Sequence, residues 1–196
     1  MIEPKQITQE EIIKVKNFID SNIRVARFPT LNEFKEGSLY NDCNAIINVS
    51  DEIYLGYSEE IAKMGKLNLY FPMGESGKSM GLNSMYGALD TLHQIYNFRP
   101  DYKILLHCQA GLNRSPTILA SFHFMMTGKH LKIKNGMYPQ NRLLYNCEKG
   151  HLPSLDKMES FLIHCKIAFD NPEKFFGGML DWIIKKSKIE DLDAIQ

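Results

Sequence analysis

The chain has 196 residues, enough for one domain with a sizeable core. Apolar residues make up 44% of it and the formal net charge is zero, so neither a basic nucleic-acid binder nor a polybasic membrane-surface protein is indicated. The N-terminal stretch lacks an apolar signal-peptide core and no run of about 18 apolar residues occurs, which predicts a cytoplasmic protein.

In chain order, Thr8 to Asn22 reads as a helix: Thr8 is a cap, Glu11 completes a capping box, and Ile12, Val15, Phe18 and Ile19 form an apolar face. Ile23 to Phe28 reads as a strand, and Asn44 to Val49 as a second one that ends at Ser50-Asp51. Ser58 to Met64 is predicted helical, with Gly65 as its stop. Leu67 to Phe71 is a third strand, Ser79 to Phe98 a long helix, and Tyr102 to Leu106 a buried strand. Thr117 to Met126 follows as a mostly buried helix ended by Gly128. Leu152-Pro153-Ser154 opens a helix to about Phe169, Asn171-Pro172 breaks it, and Phe175 to Lys186 forms a last amphipathic helix before a polar tail. Strands alternating with helices predict an α/β fold, a single domain over 1–196 with a mostly parallel sheet flanked by helices.

Cys43, Cys108, Cys147 and Cys165 match no zinc spacing and no compact disulfide framework, so thiols are expected. Cys43, Cys147 and Cys165 read as small buried hydrophobes. The histidines at 93, 123, 130, 151 and 164 show no ligand spacing and read as surface or partly buried residues; no metal and no cofactor is expected.

The most informative stretch is His107-Cys108-Gln109-Ala110-Gly111-Leu112-Asn113-Arg114-Ser115. A thiolate can attack phosphorus, and an Arg six residues on can reach round to clamp phosphoryl oxygens with two parallel hydrogen bonds. Gly111 permits the tight turn that aims successive N–H groups into one hollow. A strand precedes the loop, and Pro116 follows Ser115 in the first turn of a helix. The loop therefore sits at a helix N-terminus, where a phosphate settles and a thiolate is favoured over a thiol.

This stretch resembles the signature loop of the cysteine-dependent protein phosphatases, and its Ala-Gly-x-x-Arg-Ser form is most similar to the dual-specificity branch. The resemblance is sharp in the loop and looser over about 25–169; the helix 8–22 and the segment 175–196 are additions to it. It implies Cys108 as nucleophile and the N–H groups of Gln109, Ala110, Gly111, Leu112, Asn113 and Arg114, with the Arg114 side chain, as phosphate ligands. It further implies Ser115 as hydroxyl donor to the Cys108 sulfur, and His107 as a brace of the loop through hydrogen bonds.

The resemblance also asks for a general acid, usually an Asp, on a loop after a preceding strand. Glu75 lies there, 33 residues before Cys108, and is the only carboxylate between Leu67 and Tyr86. It is the candidate acid, with Asp51, read as a turn residue, and Asp90, read as exposed on a helix, in reserve. Gly74-Glu75-Ser76-Gly77-Lys78-Ser79 also looks like a nucleotide-binding P-loop, but Pro72 stands where that motif needs its first Gly. Gly74 and Gly77 read instead as giving the acid loop freedom to move, and Lys78 as added positive charge near a phosphate.

The expected activity is thus metal-independent hydrolysis of phosphate monoesters, most simply phosphotyrosine, phosphoserine or phosphothreonine in proteins, through a phosphocysteine. The uncharged Gln109, Ala110, Leu112 and Asn113 speak against phosphoinositides. The alternatives are a pseudophosphatase that binds phosphorylated partners, an RNA 5′-triphosphatase, and a nucleotide-dependent enzyme using Gly74–Ser79. Neither a nucleic-acid nor a membrane partner is expected, and the oligomeric state is left open.

Overall fold

Four short apolar runs become strands: β1 (Ile23–Ala26), β2 (Ala45–Asn48), β3 (Leu67–Tyr70) and β4 (Ile104–His107). In the computed structural model, which describes residues 7–52, 55–74, 80–131 and 141–172, all pair in parallel in the order β1-β4-β2-β3. β2 and β4 are buried on both faces, which explains why each opens with three apolar residues in a row rather than alternating, before ending in Asn48 or His107. β3 lies at an edge and exposes Leu67.

Six α-helices are described: α1 (Gln9–Asn22), α2 (Leu55–Lys63), α3 (Leu82–Phe98), α4 (Arg114–Thr127), α5 (Arg142–Glu148) and α6 (Leu155–Asp170). Because side chains alternate across a strand, Ile46 and Leu105 enter a small core with Phe34, Tyr40 and Ile61, while Ala45, Ile47, Ile104 and Leu106 enter the larger core that contains residues of α1, α3, α4 and α6. α4 is the centre of that second core and is buried over nearly its whole length. Its Phe122 packs on Phe18 and Tyr96, with ring centroids 6.4 and 6.5 Å away. Truncating a buried Phe generally costs about 3–5 kcal/mol, so this trio is a main anchor of α1 and α3 on α4.

Local chemistry sets the helix ends. Thr8 N–H donates to Glu11 Oε2 at 2.7 Å and Glu11 N–H donates to Thr8 Oγ1 at 3.2 Å, closing the capping box ahead of α1. Gly128 ends α4 in the left-handed region at φ 63°. Several boundaries differ from the sequence reading. β1 stops at Ala26 because Phe28 N–H leaves the ladder and donates to Gln109 O. α2 begins at Leu55 rather than Ser58, and α3 at Leu82 rather than Ser79. α5 was not expected, and the last amphipathic helix, Phe175 to Lys186, lies outside the described residues. No helix among the described residues is long and apolar enough to cross a membrane.

Candidate active site

In open parallel sheets a ligand binds beyond the carboxyl ends of the strands. Here all four strands end on one edge, which brings together Arg27-Phe28, Asn48–Asp51, Phe71–Met73 and His107-Cys108. The loop after Cys108 rests on the end of β1. Phe28 N–H donates to Gln109 O at 3.0 Å, and Gly111 adopts φ 71° against the main chain of Ala26. A Cβ on Gly111 would lie 2.5 Å from the Ala26 carbonyl carbon and 2.6 Å from its oxygen, so both the turn and the close approach require glycine.

The Cys108 thiol is almost fully buried at the floor of this loop. Ser115 Oγ donates to Cys108 Sγ at 3.3 Å from inside the first turn of α4. Burial works against a charge on the sulfur. The Ser115 hydroxyl and the N–H groups of Ser115, Gly111 and Asn113 outweigh it and hold the Cys108 pKa below its ordinary value. A thiol lowered in this way stays ionised to lower pH, and the thiolate is the reactive form. Alkylation of Cys108 by iodoacetate is therefore expected to reach half its plateau rate at a pH below about 8.5, the ordinary cysteine value, and Ser115→Ala to move that midpoint upward. The other cysteines offer a contrast: Cys43 and Cys165 are buried, Cys147 is half-buried, and burial pushes Cys147 up to about 11 and Cys165 to about 12.

Arg114 begins α4 with its side chain about 6% exposed, a strongly desolvated position for a guanidinium. Nη1 donates to Asp51 Oδ1 and, at 3.1 Å, to the carbonyl of Met73. Asp51 was read as a turn residue and a reserve acid; it is instead the carboxylate partner of Arg114. Burial opposes its charge, but the hydrogen bond from Arg114 wins and holds the Asp51 carboxyl below the usual range, so it does not hold a proton near neutral pH. The turn that delivers it is local: Asn48 Oδ1 accepts from Ser50 N–H at 2.8 Å and from Ser50 Oγ at 2.7 Å. Asp90, the other reserve, sits in α3, where it accepts from Gln94.

His107 is fully buried at the end of β4, and burial lowers its pKa to about 4, so it is neutral. Its ring meets Phe28 edge-on at 5.1 Å, and Phe28 in turn packs on Tyr57 at 4.9 Å. Among the described residues neither ring nitrogen makes a well-formed hydrogen bond; the Cys108 main chain acts on the ring only enough to oppose the effect of burial, and Phe28 packs against it. Gln109, Ala110 and Leu112 are exposed around the loop mouth, and Asn113 is half-buried with its side chain tied to Asn146 of α5. Asn146 was not singled out in the sequence.

Glu75, with Ser76 to Ser79, lies outside the described residues. Met73, two residues before this segment, and Met80, directly after it, are both fully buried, and the Met73 carbonyl accepts from Arg114. Among the described residues no cluster of three or more His, Cys, Asp and Glu is placed to hold a metal. His93 and His123, expected at or near the surface, are in fact buried; His93 contacts Asp170, and His123 Nδ1 meets the Lys129 carbonyl.

The arrangement, a lowered thiol in a nest of N–H groups beside a fixed guanidinium, suits attack on a phosphoryl group. Solved structures of similar shape match the fold. Tk-PTP in its active form matches with a TM-score of 0.55 at 21% identity, over 72% of this chain and 94% of its own. PTPMT1 in complex with PI(5)P matches with a TM-score of 0.51 at 14% identity, over 79% of this chain and 96% of its own. No protein-family model and no curated protein sequence matches the chain. Identities this low speak for the fold alone, and on that ground the chain shares the α/β fold of Tk-PTP and PTPMT1.

Proposed function

We propose that the protein hydrolyses phosphate monoesters through a phosphocysteine on Cys108. The observation that carries this reading is the Cys108 sulfur itself, buried, lowered in pKa, and hydrogen-bonded by Ser115, the residue after Arg114. Sγ attacks phosphorus as the bond from phosphorus to the leaving oxygen breaks, and that oxygen takes a proton from Glu75. Glu75, now a carboxylate, removes a proton from water, which attacks phosphorus. The P–S bond breaks, Cys108 leaves as thiolate and inorganic phosphate is released. The Ser115 hydroxyl stabilises that thiolate. Arg114 and the loop N–H groups hold the equatorial oxygens, where charge sits in the transition state. The donors in this scheme are all protein groups, so no step calls on a metal.

The substrate we favour is a phosphorylated protein side chain. Gln109, Ala110 and Leu112 at the mouth carry no charge, and the Asp51 carboxylate stands against Arg114, which disfavours a substrate with several phosphates. A phosphoinositide, the ligand class in the PTPMT1 structure, is the substrate to set against it. The test is p-nitrophenyl phosphate turnover in EDTA, blocked by vanadate, followed by phosphopeptide and phosphoinositide substrates side by side. Faster turnover of the lipid reverses the substrate assignment. No turnover of any of them removes the enzyme reading. Glu75→Gln is expected to slow alkyl phosphates by about a hundredfold and p-nitrophenyl phosphate far less, because nitrophenolate leaves without a proton. Equal small losses on both assign the acid elsewhere.

A further inference from the structure

α5 is a short helix capped by Asn141, whose side chain accepts from Leu143 N–H at 3.0 Å, and it packs on α4. Its Asn146 is fully buried. Nδ2 donates to Asn113 Oδ1 at 2.9 Å and to Thr117 Oγ1 at 2.7 Å. Thr117 Oγ1 then donates to the Asn113 carbonyl at 2.8 Å, and Thr117 N–H to the same carbonyl at 2.9 Å. Both the side chain and the main chain of Asn113 are thereby held. Asn113 is the N-cap of α4, with φ −131° and ψ −72°, neither helical nor extended. The residue after it is Arg114, and its own N–H is one of those aimed at the Cys108 sulfur.

The main chain of Asn146 extends the link. Its carbonyl accepts from His151 N–H at 2.9 Å and Leu152 N–H at 3.1 Å, and the His151 carbonyl accepts from Met80 N–H at 3.2 Å. Met80, fully buried, is the first described residue after Glu75. Asn146 Oδ1, in contrast, has no hydrogen-bond partner among the described residues, a buried acceptor that costs stability. A Leu would cover the same surface of α4 without that cost. The two donated hydrogen bonds are what the amide adds.

We propose that Asn146 is a positioning residue for phosphoryl transfer, holding the Asn113 turn so that the Asn113 N–H faces the nucleophile and Arg114 enters α4 at a fixed angle. It touches no reacting atom and acts through Asn113. This role rests on the phosphatase reading, but one of its measurements does not. Asn146→Leu keeps the volume and removes both donors. The kcat/KM for p-nitrophenyl phosphate is expected to fall about tenfold or more, and the pH midpoint of Cys108 alkylation to move upward. Asn113→Ala is expected to do the same, and the double variant to be no worse than Asn113→Ala alone. Additive losses, or an Asn146→Leu protein within about twofold of wild type and with an unmoved midpoint, overturn the assignment. If Asn146→Leu does not fold, Asn146→Ser takes its place in the same cycle. An upward-shifted, non-additive alkylation midpoint in a chain that turns over no phosphoester upholds the positioning role and sinks the phosphatase reading alone.

Discussion

Cys108→Ser is expected to lower p-nitrophenyl phosphate turnover by about 10⁴-fold or more while leaving vanadate and phosphate binding in place. The two halves of this expectation have separate causes. Turnover needs a sulfur that is ionised near neutral pH, and a serine hydroxyl in the same hollow stays protonated. Binding needs the N–H groups of the loop and the Arg114 fork, and these are set by Gly111 on Ala26 and by the start of α4, which the substitution leaves alone. Single-turnover kinetics with calorimetry of vanadate binding separate them. Residual turnover within about tenfold of wild type rules out the phosphocysteine. Loss of oxyanion binding together with turnover means that the sulfur, and not the backbone nest, holds the loop open.

Arg114→Lys is expected to lower kcat/KM by about a hundredfold to a thousandfold and to weaken vanadate binding. An ammonium is a point charge with three donors; a guanidinium is a planar fork that spans two oxygens at once. In this protein the loss has a second part. Arg114 Nη1 also satisfies Asp51 and the Met73 carbonyl in a nearly dry setting, and a lysine at the start of α4 cannot serve phosphate, carboxylate and carbonyl together. Asp51 then keeps its charge without its partner. Asp51→Asn added to Arg114→Lys is expected to recover part of the binding loss. Near-wild-type kcat/KM in Arg114→Lys counts against the clamp.

Legibility in the sequence followed chemical range. The loop from His107 to Ser115 was readable because nucleophile, turn residue, clamp and hydroxyl must be contiguous to surround one phosphate. The α1 cap was readable for a similar reason: Thr8 and Glu11 satisfy each other three residues apart. Strands β2 and β4 announced themselves because burial on both faces leaves three apolar residues in a row before the polar residue that ends each. The partners of the loop did not. Asp51 reaches Arg114 across 63 residues and Asn146 reaches Asn113 across 33, and neither separation has a local signature. An Asn two before a Ser at a strand end, as at Asn48, marks the turn that presents Asp51 but not what it meets. α5 escaped because seven residues with two leucines give too short a pattern for a helical period. The aromatic seat of His107 depends on Phe28, which a strand assignment had drawn into the sheet.

The strand order has a bearing on how the chain is made. β4 is the last of the described strands to be synthesised, yet it lies between β1 and β2, which are not paired with each other. Until Ile104–His107 has left the ribosome, β1 has no partner and one edge of β2 stays open, a template for pairing with another chain. The strand that closes the sheet is also the one that ends in the nucleophile. A nascent chain stopped short of it therefore lacks both the strand that joins β1 to β2 and the Cys108 thiol, so the step that unites the sheet is also the step at which the chemistry begins to assemble.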